Sequence, residues 1–236
     1  MKALVLVHEP DDPSGEIGVR LRERGFTVVD HLVTSAYDRP NESTGEFPPF
    51  EDFDLIVPMG SLRSLTRKEE IESWIHQELQ LLAAAHRRGQ PILGICFGGQ
   101  LLAEALGGSV EVAPRAEIGW YEIRPAANGP NPVGGGPWMQ WHHDRFQLPP
   151  RATLLAESDV SPQLFRIDQS VGTQFHPEIT VGMLTDWLAT CDDEYLAKQG
   201  VDRQQLLADT TVFQDQSVKA CHRLVDWFLD EVALLT

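Results

Sequence analysis

The sequence predicts an α/β fold, with a mostly parallel sheet covered by helices on both faces, antiparallel additions and a C-terminal helical appendage. Three observations predict it. Short, fully apolar strands alternate with amphipathic helices in the first half of the chain. Short strands without intervening helices follow, and the chain beyond Thr180 is helical in pattern.

Four strands are predicted in the first half, at 3–7, 26–33, 53–57 and 91–95. The helix after the first strand has Asp12 or Ser14 as its N-cap and stops at Gly25. The helix before the fourth strand begins at a capping box formed by Thr66 and Glu69. Continuous apolar strands are typical of parallel sheets, in which ligands bind beyond the carboxyl ends of the strands.

After Gly108 the sequence predicts short strands at 110–112, 118–124, 138–141, 152–156, 164–167 and 171–175. The three glycines at 134–136 are interpreted as a hairpin turn, because no strand, helix or Lys-Ser pair completes a phosphate loop. Helices are predicted at 181–190, 193–199, 202–208 and 215–234. We therefore expect residues 1–190 to form the α/β domain and residues 191–236 to form a helical extension packed on it.

Charge and composition exclude several classes of function. The net charge of −16, from 19 basic and 35 acidic residues, argues against a nucleic-acid-binding surface and suits a small neutral or zwitterionic ligand. The three cysteines form no C-x-x-C pair and no even disulfide framework, as expected in a reducing cytosol. No apolar run reaches signal-peptide or membrane-spanning length, so we expect a cytoplasmic protein without a membrane partner.

Cys96 stands between a predicted strand and a predicted helix, flanked by Gly94 and Gly98. This spacing is the thiol counterpart of the G-x-S-x-G elbow, in which small neighbours let a nucleophile sit on a strained turn. Free amides at the start of the helix favour both a thiolate and an oxyanion. The alternative interpretation is a buried structural cysteine beside glycines that pack the helix.

His176 ends the last predicted strand, and Glu178 follows it across Pro177. The histidine is therefore expected at the same rim of the sheet as Cys96, with the carboxylate accepting from one imidazole nitrogen while the other nitrogen faces the thiol. A single histidine at a strand end is usually structural. Together with the cysteine elbow, however, it predicts the nucleophile, base and orienting carboxylate of a catalytic triad.

Three ordered blocks carry a family resemblance. They are GICFGGQ at 94–100, WHHD at 141–144 and QFHPE at 174–178. With them the chain resembles the class I, triad-type glutamine amidotransferases, the family of the glutaminase domain of GMP synthetase. The resemblance covers residues 1–190 and implies a flavodoxin-like arrangement of the sheet. It departs from the family pattern at Met59 and Ser61, beside the expected oxyanion glycine, and at His143, where the family has glycine.

The resemblance implies a role for each matching residue. Cys96 would attack a glutamine side-chain amide, His176 would relay protons and Glu178 would orient the histidine. The backbone N–H groups of Gly60 and Phe97 would form the oxyanion hole. The substrate-binding residues would be Gln100, Trp141, His142 and His143.

No cofactor and no metal site are expected. His142 and His143 are neighbours on a predicted strand, so their side chains point to opposite faces and at most one could serve a given site. No nucleotide-binding loop is present in the sequence.

Three functions remain open at this point. The first is a stand-alone enzyme that hydrolyses a γ-glutamyl amide, either glutamine or a small γ-glutamyl compound, through a γ-glutamyl thioester. The second is a glutaminase subunit that delivers ammonia to a separate synthetase. The third is a regulatory or binding module without turnover.

Overall fold

The computed structural model describes residues 1–10, 12–126, 131–134 and 136–235. Within them the strands are β1 (Lys2–Val7), β2 (Thr27–Leu32), β3 (Leu55–Pro58), β4 (Ile92–Ile95), β5 (Ser109–Tyr121), β6 (Arg124–Pro125), β7 (Trp138–Gln147), β8 (Thr153–Glu157), β9 (Pro162–Ile167) and β10 (Ser170–Thr173). The main sheet has the order β2-β1-β3-β4-β10-β9-β8-β6. From β2 to β10 the neighbouring strands are parallel, and β9, β8 and β6 continue the sheet antiparallel.

The helices are α1 (Gly15–Glu23), α2 (Glu72–Arg87), α3 (Phe97–Ala105), α4 (Val181–Thr190), α5 (Asp193–Lys198) and α6 (Arg203–Trp227). A π-helical turn, Phe228–Ala233, continues α6. The predicted fold class is confirmed, since a parallel sheet carries helices on both faces and antiparallel strands along one side.

Alternation along the buried strands gives the sheet two apolar faces. Val5 of β1 packs with Leu21 of α1 and Leu224 of α6 on one face. Leu4, its neighbour, packs with the α2 and α3 side chains on the other face. Because successive strand residues point to opposite sides, a strand buried on both faces must be apolar at every position, as the runs 3–7 of β1 and 92–95 of β4 are. The edge strand β2 is partly exposed and carries Asp30 and His31.

A third apolar cluster lies beside the sheet, under the two-stranded ribbon formed by β5 and β7. It joins Met139 of β7 to Leu184 of α4, Leu196 of α5 and Leu206 of α6. This cluster holds α4 and α5 against the carboxyl-end rim of the parallel strands. No helix among the described residues combines the length and apolar character needed to cross a membrane.

Three local predictions are wrong. The strands predicted at 110–112 and 118–124 are one strand, β5, with an irregularity between Val112 and Glu117. Thr66 and Glu69 lie in a 3₁₀ turn, Leu65–Glu70, in which the hydroxyl of Ser64 accepts from the Thr66 amide at 3.1 Å, and α2 begins only at Glu72. Arg67, with φ −132° and ψ 52°, separates that turn from a regular helix.

The helices predicted at 202–208 and 215–234 are one helix, α6. Thr210 bridges the expected gap, because its hydroxyl donates to the Leu206 carbonyl and accepts from the Trp120 indole, each at 2.8 Å. The predicted hairpin turn at 134–136 includes Gly135, which lies outside the described residues.

Candidate active site

Cys96 occupies a strained turn between β4 and α3. Its backbone angles are φ 49° and ψ −104°, in a region that residues other than glycine rarely adopt, and strain of this kind clusters at functional sites. Its amide donates to the Thr173 carbonyl of β10 at 2.9 Å, which fixes the turn to the sheet. A Cβ at Gly98 would stand 2.0 Å from the Pro58 carbonyl oxygen, so the close approach of α3 to β3 requires glycine there.

His176 and Glu178 form a buried pair just beyond β10. The Nδ1 atom of His176 lies 2.7 Å from Oε1 of Glu178, and the two side chains are 5% and 0% exposed. Burial lowers the pKa of His176. The negative charges of Cys96 and Glu178, with the hydrogen bonds to both, outweigh burial and hold that pKa well above its ordinary value. The arrangement therefore favours a protonated His176 beside Cys96 and Glu178.

Gly60 lies against the same imidazole, in the loop after β3. A Cβ there would stand 3.1 Å from Cε1 of His176 and 2.9 Å from Oδ2 of Asp12, so any side chain would press on the triad. Phe97 is the first residue of α3, so its amide has no partner one turn earlier in the helix. The backbone amides of Gly60 and Phe97 are the two that the family resemblance implies as oxyanion donors.

A buried His–Glu pair supports the Gly60 loop from behind. His8 Nδ1 lies 3.2 Å from the Gly60 carbonyl oxygen, and Nε2 lies 3.0 Å from Oε1 of Glu78. Burial lowers the pKa of His8, but the Glu78 carboxylate outweighs it and the net shift is upward. Both ring nitrogens face acceptors, so a protonated His8 donates to both and anchors the peptide after Gly60.

Side-chain amides connect the cysteine to β7. Gln174 Nε2 lies 3.6 Å from the Cys96 sulfur, and its Oε1 accepts from Gln100 Nε2 at 3.3 Å. Gln100 Nε2 also donates to the Asp144 carbonyl at 3.1 Å. Gln100 is buried, so the structure brings it to the wall behind the cysteine, where it ties α3 to β7.

The three predicted residues of the WHHD block have different surroundings. The Trp141 carbonyl lies 3.9 Å from the Cys96 sulfur, and its indole borders the site. His142 is buried, with Nδ1 2.9 Å from the Asp144 carbonyl oxygen and Nε2 3.1 Å from Oε2 of Glu117, so protein groups engage both ring nitrogens.

His143 points to the opposite side of β7, as strand alternation requires. Its Nε2 lies 2.5 Å from the hydroxyl of Tyr195, and the two rings meet edge to face. The contact ties β7 to α5 at the rim of the site. Among the described residues, no group of three or more His, Cys, Asp or Glu side chains is arranged to hold a metal ion.

Two cavities meet at the triad. The acyl cavity, as we name it, has a volume of about 660 Å³ and is lined by Cys96, Phe97, Gln100 and Asp144 together with Arg63. The amine cavity has a volume of about 300 Å³ and is the one that His176 lines. Its walls include Glu9, Asp12, Trp141, His176, Trp187, Cys191, Asp192 and Tyr195.

Sequence reasoning missed the acidic residues of the amine cavity. Asp12 is one of the two N-cap candidates in the sequence. The N-cap position of α1 is Ser14, and Asp12 lies in the site, because the loop after β1 emerges at the carboxyl end of the sheet. Burial and the nearby Glu178 raise the pKa of Asp12 to about 7. The signal available in the sequence was position alone: like Cys96, Asp12 follows a buried parallel strand.

Comparison with known proteins shows that the similarity extends well beyond these motifs. The model of the family described as glutamine amidotransferase class-I matches residues 19–190. YfeJ, a putative glutamine amidotransferase-like protein of Salmonella typhimurium, is 31% identical over 252 residues, covering 99% of this chain and 98% of the relative. A GMP synthase of Marinobacter nauticus is 35% identical over 108 residues, covering 39% of this chain but 21% of the synthase.

Solved structures extend the similarity over the entire fold. The crystal structure of a glutamine amidotransferase from Thermotoga maritima matches with a TM-score of 0.82 at 26% identity. The match covers 98% of this chain and 99% of that one, so it includes the helices after residue 190.

Proposed function

We propose, from the premise that this chain belongs to the class I glutamine amidotransferases, that it is a stand-alone enzyme hydrolysing a γ-glutamyl amide through a γ-glutamyl thioester. One observation carries the proposal. Cys96 sits on a strained turn and lines one cavity, and His176, which lies 2.7 Å from the Glu178 carboxylate, lines the other. This is the constellation of nucleophile, acid–base group and orienting carboxylate that acyl transfer requires.

The first half of the reaction forms the thioester. The Cys96 thiolate attacks the amide carbon, and the carbonyl oxygen takes up the negative charge between the N–H groups of Gly60 and Phe97. The His176 imidazolium then gives its proton to the amide nitrogen, the C–N bond breaks and the amine leaves. Glu178 stabilises the imidazolium and fixes which ring nitrogen faces the substrate.

The second half releases glutamate. Neutral His176 takes a proton from water as the water oxygen attacks the thioester, and the tetrahedral intermediate expels the Cys96 thiolate. Glutamate leaves, and the imidazolium–thiolate pair is restored. Atoms balance, because one amide and one water give one carboxylate and one protonated amine.

The acyl cavity has the chemistry of an amino-acid end. Arg63 and Arg67 can receive the α-carboxylate, and Asp144 can receive the α-ammonium group. The carboxylate of Asp144 already accepts from the Ser64 hydroxyl, which fixes its orientation. These assignments, with Gln100, Trp141, His142 and His143 as cavity walls, are part of the proposal.

Activity without a partner is supported by what covers the site. Trp187 of α4 and Tyr195 of α5 line the amine cavity, so this chain's own helices occupy part of the rim. The rim helices are held in place by the apolar cluster under β5 and β7 and by the His143–Tyr195 contact.

A second candidate function rests on the GMP synthase relatives. The matched part is about a fifth of the synthase, as expected if the similarity is confined to a glutaminase portion. A glutaminase subunit that supplies ammonia to a separate synthetase would use the same triad. The two functions differ in whether purified protein turns over alone.

The test is a panel of γ-glutamyl amides assayed with purified protein, with glutamate release as the readout. We expect turnover of at least one compound at about 1 per second or faster. The Cys96→Ala variant should be folded and inactive. Lack of hydrolysis of every compound, restored by a cell extract, would favour the glutaminase subunit, and lack of hydrolysis under both conditions would favour a module without turnover.

A further inference from the structure

The two cavities indicate which end of the substrate lies in which cavity. This step rests on the proposed function: in acyl transfer the thiolate attacks the carbonyl carbon, and the imidazole protonates the leaving nitrogen. The acyl group therefore belongs on the side of Cys96, which lines the larger cavity. The leaving amine belongs beside His176, and the cavity that continues from His176 is the amine cavity of about 300 Å³. A cavity of that size holds more than ammonia.

The amine cavity carries a buried carboxylate with one unpartnered oxygen. Asp12 is 5% exposed, and no described residue donates a hydrogen bond to its Oδ1 atom, which is fully enclosed. A buried carboxylate without a donor is costly, so a bound group that supplies one is strongly favoured. A Cβ built on Gly60 would stand 2.9 Å from Oδ2 of Asp12 and 3.1 Å from Cε1 of His176, so the carboxylate and the imidazole lie in the same part of the site.

Glu9, the other buried acid of this cavity, is already paired. Its Oε1 accepts from the Ser61 hydroxyl at 3.0 Å and lies 3.1 Å from Nε of Arg63. The charged groups around Asp12 are Glu178, Glu9, His176 and His8. Each carboxylate of this set has a cationic partner, namely His176 for Glu178 and Arg63 for Glu9. Asp12 is thus the acid that a ligand would neutralise.

The remaining walls favour a cation. Trp141, Trp187 and Tyr195 line the cavity, and the Trp141 and Trp187 rings meet edge to face with centroids 5.8 Å apart. Aromatic faces attract ammonium groups and also bury the methylene chain that carries them. An enclosed carboxylate with aromatic walls is the chemistry that recognises an alkylammonium ion.

We propose that the preferred substrates are γ-glutamyl amides of alkyl diamines, whose free ammonium group binds Asp12 in the amine cavity while the amide nitrogen lies beside His176. The reaction converts the γ-glutamyl diamine and water into glutamate and a doubly protonated diamine. Cys96 bonds to the acyl carbon, His176 protonates the departing nitrogen, and water cleaves the thioester.

The raised pKa of Asp12 agrees with this assignment. Burial and Glu178 bring it to about 7, so the charged form is disfavoured when the cavity holds no cation. An ammonium group beside Asp12 stabilises the carboxylate and lowers the pKa again. Substrates with a free carboxylate at the same place would instead be repelled.

Three substrates of matched length test the proposal on the wild-type protein. They are the γ-glutamyl amides of 1,4-diaminobutane, of n-pentylamine and of 4-aminobutanoate, which end in ammonium, methyl and carboxylate. We expect kcat/KM for the ammonium compound to exceed that of the methyl compound by about 10- to 100-fold, the range for a hydrogen bond to a charged group. The carboxylate compound should be poorest.

Variants then assign the preference to one residue. Asp12→Asn should abolish the ammonium preference, measured as the ratio of kcat/KM for the ammonium compound to kcat/KM for the methyl compound. Asp186→Asn is the matched control, because it removes one acidic charge from an exposed position of α4 and leaves the cavity lining intact. It should retain the preference. Equal loss in both variants would mean that overall charge, and not Asp12, attracts the cation.

The wild-type comparison decides the proposal even if Asp12→Asn does not fold. Equal rates for the ammonium and methyl compounds, with glutamate still released, would overturn the diamine assignment and leave the proposed function intact. Lack of hydrolysis of all three compounds and of glutamine would instead refute the proposed function. Competitive inhibition by 1,4-diaminobutane, and not by the uncharged alcohol 1-pentanol, would support the assignment independently.

Discussion

Replacing Glu178 with glutamine removes a negative charge from the triad and almost no volume. The carboxylate lies 2.7 Å from Nδ1 of His176, and both side chains are almost fully buried. For charges about 4 Å apart at an effective dielectric constant of about 20, the interaction is about 4 kcal/mol. Each 1.36 kcal/mol is a tenfold change in rate, so losing this stabilisation of the imidazolium lowers kcat by about 10³-fold.

The amide side chain has a second effect on the same histidine. A glutamine can donate to Nδ1 as well as accept from it, so it admits the tautomer in which Nδ1 lacks its proton. In that tautomer Nε2 carries the proton, so it cannot accept one from the thiol or from water. Glu178 lines neither cavity, so the substitution leaves the substrate-binding walls unchanged. We therefore expect KM to change by no more than a few-fold.

The assay is steady-state glutamate release from one γ-glutamyl amide, with thermal unfolding measured in parallel. Asp226→Asn is the matched control, because it exchanges a carboxylate for an amide where Arg20 and Arg24 bind it, between α1 and α6. The control should lose stability and keep its kcat. A kcat for Glu178→Gln within tenfold of wild type, in folded protein, would refute the role given to Glu178.

Three further outcomes are expected. Cys96→Ala should abolish covalent labelling by a glutamine-analogue electrophile in folded protein, and labelling that persists would refute the choice of nucleophile. Glu78→Gln should lower kcat by about tenfold with little change in KM, because His8 then loses the carboxylate that holds it against the Gly60 peptide. The effect should be smaller than the loss of a complete oxyanion donor, which lowers kcat by about 10²- to 10³-fold. Since the pKa of Asp12 is raised to about 7, its carboxylate is neutral below that pH and charged above it, so kcat/KM for an ammonium substrate should rise with pH and level off above about pH 7. Asp12→Asn should flatten that rise, and an unchanged pH profile would assign it to another group.

The strands and the catalytic motifs were predictable because each depends on short stretches of sequence. An apolar run buried on both faces can be recognised without knowing its neighbours, and the glycines around Cys96 are required by a turn that the structure contains. The pairing of His176 with Glu178 was predictable for the same reason, since two residues separated by one proline have few relative positions.

Predictions failed where distant contacts decide the local structure. The break expected within α6 is absent, and at that place the Thr210 hydroxyl accepts from the indole of Trp120, a residue far away in the sequence. The capping box at Thr66 failed because Arg67 leaves helical geometry, so the first turn belongs to a 3₁₀ segment.

The amine cavity shows what a motif cannot specify. Asp12 comes from the loop after the first strand and Trp187 from a helix near the other end of the chain, and they meet because β1 and β10 are members of one parallel sheet whose carboxyl ends share an edge. Neither residue belongs to the three blocks that carry the family resemblance. The triad fixes which bond is broken, whereas these walls contact the group that leaves. Chains that share all three blocks can therefore differ in their leaving amine, and the residues at the positions of Asp12 and Trp187 are where that difference should be sought.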